Sequence, residues 1–177
     1  MRALLSLCGA NPDDPSVQDT PKRVLKAMHE MTAGRHEDPA SILATTFERY
    51  AYDQMVVLRG VEFVSLCEHH LLPFTGRAVV AYVPGDHVVG LSKLARLVDC
   101  YARRLQIQER MTQQIADALT EHLKPRGAGV VLAASHSCMC SRGVRKSGAE
   151  MVTSCLTGVL REKPEARAEL LSFLGGA

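Results

Sequence analysis

Residues 91–123 read LSKLARLVDCYARRLQIQERMTQQIADALTEHL, and the spacing of their apolar positions decides the fold. Leu91, Leu94, Leu97, Val98 and Tyr101 recur every three or four residues; after Gln106 to Glu109 the pattern restarts with Met111, Ile115, Leu119 and Leu123. Two consecutive helices therefore occupy the middle of the chain, the second closed by Pro125 and Gly127. On the N-terminal side, Met55 to Leu66 and Gly76 to Val83 are rich in Val, Leu and Phe with polar interruptions, the pattern of an antiparallel strand pair. On the C-terminal side, Val130 to Cys138 and Met151 to Leu160 read as two more strands joined by a long polar connection. Strand, strand, helix, helix, strand, strand is an α+β order.

Helices flank this unit. Residues 2–8 read as a short one. Asp19-Thr20-Pro21 starts another, with Asp or Thr as cap, Pro in the first turn, and Val24, Leu25, Met28 and Met31 as an apolar stripe ending at Gly34. Pro164 opens a last helix carrying Leu170, Leu171 and Leu174. No fixed-period repeat, low-complexity segment or linker divides the chain, so one compact unit is expected: an N-terminal helical region over 1–50 and an α+β unit over 51–177.

The 177 residues are 46% hydrophobic and 23% charged, which suits a single core that buries about two-thirds of the unfolded surface. Lys and Arg number 21 against 19 Asp and Glu, so no polyanion-binding field covers the whole molecule. Trp is absent, and only four Tyr and four Phe occur, which argues against a base-stacking surface for single-stranded nucleic acid. No apolar run approaches the roughly 18 residues a membrane span needs. The opening Met1-Arg2-Ala3-Leu4-Leu5-Ser6-Leu7-Cys8 resembles a signal sequence, but its apolar stretch is short and Leu7 is not small. A cytoplasmic protein with its six cysteines as thiols is expected.

Cys67-Glu68-His69-His70 places a thiol and an imidazole three residues apart just past a strand, where a turn can aim both at one ion. His136-Ser137-Cys138-Met139-Cys140 ends another expected strand, and alternation puts His136, Cys138 and Cys140 on one face. Thiolate with imidazole selects Zn²⁺ in a reducing compartment. Cys67, His70, Cys138 and Cys140 would make a closed structural site, although Cys138 and Cys140 stand about 6.5–7 Å apart on an extended strand. Cys67, His70 and Cys138 alone would leave room for water, with His69 and His136 free to move protons. The ordinary alternative is that Cys67 and Cys138 are buried apolar groups.

Gly90-Leu91-Ser92-Lys93-Leu94-Ala95-Arg96 sets Ser92, Lys93 and Arg96 at a helix start, where cations oppose the dipole unless an anion such as phosphate binds. Arg23 and Lys26 lie three apart on the earlier helix, and Arg142, Arg145 and Lys146 follow the second cluster. Taken singly, each cation pair reads as a solvated face, and Glu109 as a first-turn carboxylate.

These stretches together resemble the GTP cyclohydrolase I family over nearly the whole chain. The matching residues are Asp19 to Val24, Cys67 to Phe74, Gly90 to Arg96, Arg103 to Thr112, and His136 to Met139 with Arg142-Gly143. The resemblance implies the tunnelling fold: a four-stranded antiparallel sheet with two helices between its middle strands. N-terminal helices precede it, and the sheets of several subunits join into a barrel. It implies a homodecamer of two stacked pentamers with interfacial active sites. The implied reaction takes GTP and water to 7,8-dihydroneopterin triphosphate and formate, the entry to tetrahydrofolate and related pterins.

Carried over by position, Cys67, His70 and Cys138 are the implied zinc ligands, so that water activated by the metal attacks C8 of the purine. His69 is the implied proton donor to N7, His136 a second imidazole near the opened ring and ribose, and Ser92 an aid to the later rearrangement. Glu109, with Gln108 beside it, would read the guanine edge. Lys93, Arg96 and Arg142, with Arg23 and Lys26 from a neighbouring subunit, would cradle the triphosphate. Ala133, Cys140, Ser141 and Cys155 depart from the residues usual in the family. Three other readings remain: a zinc-stabilised non-catalytic module, a nitrile reductase of the same fold, and a paralogue acting on GTP in specialised nucleoside metabolism.

Overall fold

The computed structural model describes residues 1–173, and Leu174, expected in the last helix, lies outside them. The chain begins with α1 (Arg2–Leu7), which buries nothing, and α2 (Thr20–Met31), followed by a 3-10 turn at Ala33–His36. The Asp19 side chain does not cap α2 as expected. Its backbone is already helical, and its carboxylate is drawn 3.7 Å from Arg23 one turn on. Nor is the apolar stripe of α2 buried: Leu25 is exposed and the helix has no fully buried residue.

Next come α3 (Pro39–Leu43), capped by Asp38 through Ala40 N at 3.1 Å and Ser41 N at 3.2 Å, and β1 (Thr46–Glu48). The expected helical region of 1–50 therefore also contains a strand. The long β2 (Val56–Cys67) and β3 (Pro73–Val83) pair antiparallel. Their register shifts between Leu58 and Val61, where Gly60 takes a positive φ of 73° that a bulge tolerates best in glycine. Then β4 (His87–Val89) returns to pair with β1.

The two expected middle helices are α4 (Leu91–Ala102) and α5 (Gln108–Leu123), separated by the two-residue β5 (Leu105–Gln106). Lys124, in left-handed conformation, closes α5. β6 (Gly127–His136) pairs antiparallel with β3, and β7 (Met151–Leu156) with β6. The sheet order is β5-β2-β3-β6-β7: the expected four antiparallel strands, with β5 added in parallel at the β2 edge.

Two strand ends differ from expectation. β6 stops at His136, and the chain closes into a helical turn, α6 (Ser137–Cys140), with Ser141 N donating to Ser137 O at 2.9 Å. His136, Cys138 and Cys140 therefore do not share a strand face. β7 stops at Leu156 because Gly158 turns the chain at φ 51°, where an added Cβ would lie 2.2 Å from Arg126 O, and α7 (Val159–Glu162) follows. The last element is α8 (Pro164–Ser172).

α4 and α5 pack Leu94, Leu97, Met111, Ile115 and Leu119 against Phe63, Ala78, Val80, Tyr82 and Leu132 of the sheet. On the opposite face Ala81 and Val83 meet Leu160 and Leu170 of α7 and α8. That face is open farther along, where Val64 and Val152 are exposed. Among the described residues no helix is long and apolar enough to cross a membrane.

Candidate active site

Residues 68–72 join β2 to β3 in a turn tied at both ends. Cys67 N donates to Leu72 O at 2.9 Å, Leu71 N to Cys67 O at 2.9 Å, and Glu68 N to Gln106 O at 3.0 Å. Closing it this tightly puts Leu71 at φ 53°, a conformation bulky residues adopt only when their surroundings impose it. The Glu68 carboxylate is anchored by the Arg110 guanidinium of α5, whose hydrogen bond holds Glu68 below the usual carboxylate range. Arg110 also donates to Gln106 Oε1 at 3.1 Å and Leu105 O at 3.0 Å. The turn is thereby fixed to the start of α5.

The second cluster reaches this turn because β6 pairs with β3. His136 lies opposite Phe74 in register, their rings stacked with centroids 4.6 Å apart and planes 5° from parallel. Past His136 the rise per residue falls from about 3.3 Å to about 1.5 Å. Cys138 is consequently folded back toward Cys67. One ligand atom each from Cys67, His70 and Cys138 then lie within 4.8 Å of one another, with Cys67 Sγ 3.7 Å from His70 Nδ1. Burial, then the neighbouring Cys67, pushes the Cys138 thiol up. Cys140 is turned elsewhere, 3.2 Å from Ser135 Oγ and 3.6 Å from Lys146 O.

His69 lies largely exposed beside the three, its Nδ1 3.9 Å from Cys67 Sγ and its Nε2 3.9 Å from Glu68 Oε1. Burial lowers His136, and the exposed Glu109, close enough to act on it, pushes back. Arg142 brings Nη1 to 3.4 Å from His70 Nε2. Gln108, expected to contact a ligand, is instead buried, its amide engaged by Leu132 O, Met151 O, Thr153 Oγ1 and His136 Nε2. The ties made by Glu68, Arg110, Phe74 and Gln108 were missed from the sequence. The only signal for them was their place inside the motifs.

The remaining candidates are not brought to this end of the sheet. Ser92, Lys93 and Arg96 start α4, which follows β4 at the Val83 end of β3, nine residues or about 30 Å along the strand from Phe74. Arg23 and Lys26 sit exposed on α2, each facing a carboxylate four residues away: Asp19 at 3.7 Å and Glu30 at 3.8 Å. Nor does a groove of about 740 Å³ coincide with the cluster. It is lined by Glu30 of α2, Glu62 and Arg77 of β2 and β3, and Asp99 and Arg103 at the end of α4.

Against known proteins, the family model described as GTP cyclohydrolase I matches residues 1–175. A protein of Wolinella succinogenes named GTP cyclohydrolase 1 is 48% identical over 174 residues, covering 98% of this chain and 93% of that protein. One of the same name from Brucella canis is 46% identical over 175 residues, covering 98% and 82%. A crystal structure of the archaeosine synthase QueF-Like in the apo form aligns with a TM-score of 0.49 at 17% identity, over 59% of this chain and 93% of that one.

Proposed function

Because the chain belongs to the GTP cyclohydrolase I family and is an enzyme of that family, we propose that it hydrolyses GTP, releases C8 as formate and recloses the product as 7,8-dihydroneopterin triphosphate, the entry to tetrahydrofolate and related pterins. The observation that carries this reading is the meeting of Cys67, His70 and Cys138 beside His69, His136 and Glu109.

Two thiolates and an imidazole suit Zn²⁺. Bonds of about 2.3 Å to sulfur and about 2.0–2.1 Å to nitrogen set ligand atoms roughly 3.3–3.8 Å apart in a tetrahedron. The 3.7 Å between Cys67 and His70 falls in that range. A zinc ion held there supplies a water acidified enough to act near neutral pH. With Cys140 engaged by Ser135, the donor set favours an open three-ligand site over a closed structural one.

His69 holds the proton for purine N7, its exposed ring reachable by a ligand, and His136 is the second proton carrier. Glu109 accepts from the guanine N1–H and exocyclic amine together, an edge adenine does not present. Arg142 holds phosphate. Ser92, Lys93, Arg96, Arg23 and Lys26 serve the site of a neighbouring chain, in a homodecamer of two pentamers whose sheets close a barrel. Residues 51–177 form the catalytic unit, and 1–50 the region that extends to a neighbour. A reducing cytoplasm would keep the ligand thiols available.

Incubating zinc-loaded protein with GTP, while following formate and the pterin fluorophore formed on oxidation, tests the reaction. Both products in equal amounts are expected. Neither product overturns the reading, and formate without pterin overturns its ring-closing half.

A further inference from the structure

Gln108 carries a constraint that reaches His136. Its side-chain NH₂ faces three acceptors: Leu132 O at 3.1 Å, Met151 O at 2.9 Å and Thr153 Oγ1 at 3.1 Å. Thr112 Oγ1 donates to Gln108 O at 2.8 Å and lies 2.7 Å from Thr153 Oγ1. The single Thr112 proton is used on the backbone, so Thr153 must donate to Thr112, which leaves the Thr153 oxygen to accept from the Gln108 amide. Rotating that amide by half a turn would press its oxygen against two backbone carbonyl oxygens. Its orientation is therefore set by the protein.

The Gln108 Oε1 consequently faces His136 Nε2 at 2.8 Å. A carbonyl oxygen only accepts, so Nε2 must carry the proton and Nδ1 the lone pair. Stacking on Phe74 holds the ring in the plane where this bond forms. We infer that Gln108 is a positioning residue: it locks neutral His136 as the Nε2–H tautomer and leaves Nδ1 as the nitrogen that carries the lone pair. The amide has no free N–H for guanine. The consequence for turnover rests on the proposed reaction, in which His136 moves protons; the tautomer itself does not.

Nitrogen-15 NMR of histidine-labelled protein, at a pH where the ring is neutral and with the signal assigned by its loss in His136→Ala, should show a protonated Nε2 and an unprotonated Nδ1. A protonated Nδ1 overturns the inference. In Gln108→Met, and more mildly in Thr153→Val, the signal should shift toward a mixture of tautomers. The kcat should fall on the order of 10–100-fold for Gln108→Met at unchanged KM for GTP and unchanged zinc content. A raised KM with kcat intact would overturn the inference, since Gln108 would then be binding substrate. The wild-type spectrum needs no variant to fold and decides the point even for a chain that does not turn GTP over, a result that would count against the proposed reaction alone.

Discussion

Where β2 hands over to β3, Cys67, His70 and Cys138 converge among side chains that already have partners: Glu68 on Arg110, His136 on Phe74 and Gln108. At the other end of β3, Ser92, Lys93 and Arg96 open a helix with no acidic residue in its first turn. The first end is pre-organised by its own chain, with the Gln108 amide fully hydrogen-bonded and one ligand atom each of Cys67, His70 and Cys138 already close together. The second presents a hydroxyl and two cations at a helix start, which the proposed assembly would bring to a neighbour's site. A single fold thus carries a Cys-His-Cys cluster at one end of β3 and a basic helix start at the other, the chemical pole and the anion pole of the proposed site.

The sharpest way to break this contrast is to remove a sulfur from the organised end. Cys138→Ser should abolish stoichiometric zinc binding and turnover together, whereas Cys140→Ser should retain both, as elemental analysis and formate release will report. Full zinc content in Cys138→Ser would mean the three-way cluster is not the metal site.

Next in size is His69→Ala. A proton carrier beside the ligands should cost turnover on the order of 10²–10⁴-fold at nearly unchanged zinc content. Zinc lost in proportion to activity would make His69 a ligand, which its 3.9 Å approach to Cys67 allows geometrically.

The difference between the two ends also marks what could be read from the sequence. Periodicity placed α4, α5 and the four main strands, because long amphipathic segments carry their burial pattern in their spacing. The three-residue β1 and β4 have no period to detect, and β4 is held by Val89 N donating to Tyr82 OH at 3.1 Å, a contact no pattern announces. Alternation at 136–140 imitated a strand where the chain makes a helical turn. Cys138 is nonetheless delivered to Cys67, by a different route from the expected one. The Gln108–His136 bond spans 28 residues and depends on how α5 meets β6, so spacing along the chain cannot supply it. A family motif names Lys93 and Arg96 without saying whose site they serve. Only the direction of α4 along the sheet separates them from their own chain's Cys67, His70 and Cys138.

A smaller loss is expected at the edge of the organised end. Glu109→Ala removes a carboxylate that would face two N–H donors, and charge-assisted bonds of this kind are worth about 1.5–3 kcal/mol, or roughly 10–150-fold in GTP affinity. Equilibrium binding of GTP to folded, assembled protein reads this directly. Unchanged affinity would return Glu109 to an ordinary first-turn carboxylate that only tunes His136.

The weakest signal tests the contrast itself. If the anion pole of one chain completes the chemical pole of another, Lys93→Ala and His136→Ala each damage every site of their own homo-oligomer, but at different poles. Mixing the two kinds of chain under conditions that allow exchange creates sites in which an intact His136 meets an intact Lys93. With random assembly, about a quarter of the shared sites should be whole, so activity should return to about a quarter of the wild-type value. Sites built within one chain cannot recover this way, since each chain would keep its own lesion. Isotope-coded mass measurement of the mixed assemblies shows whether chains have exchanged. Exchange without recovered activity would place Lys93 outside a site shared between chains.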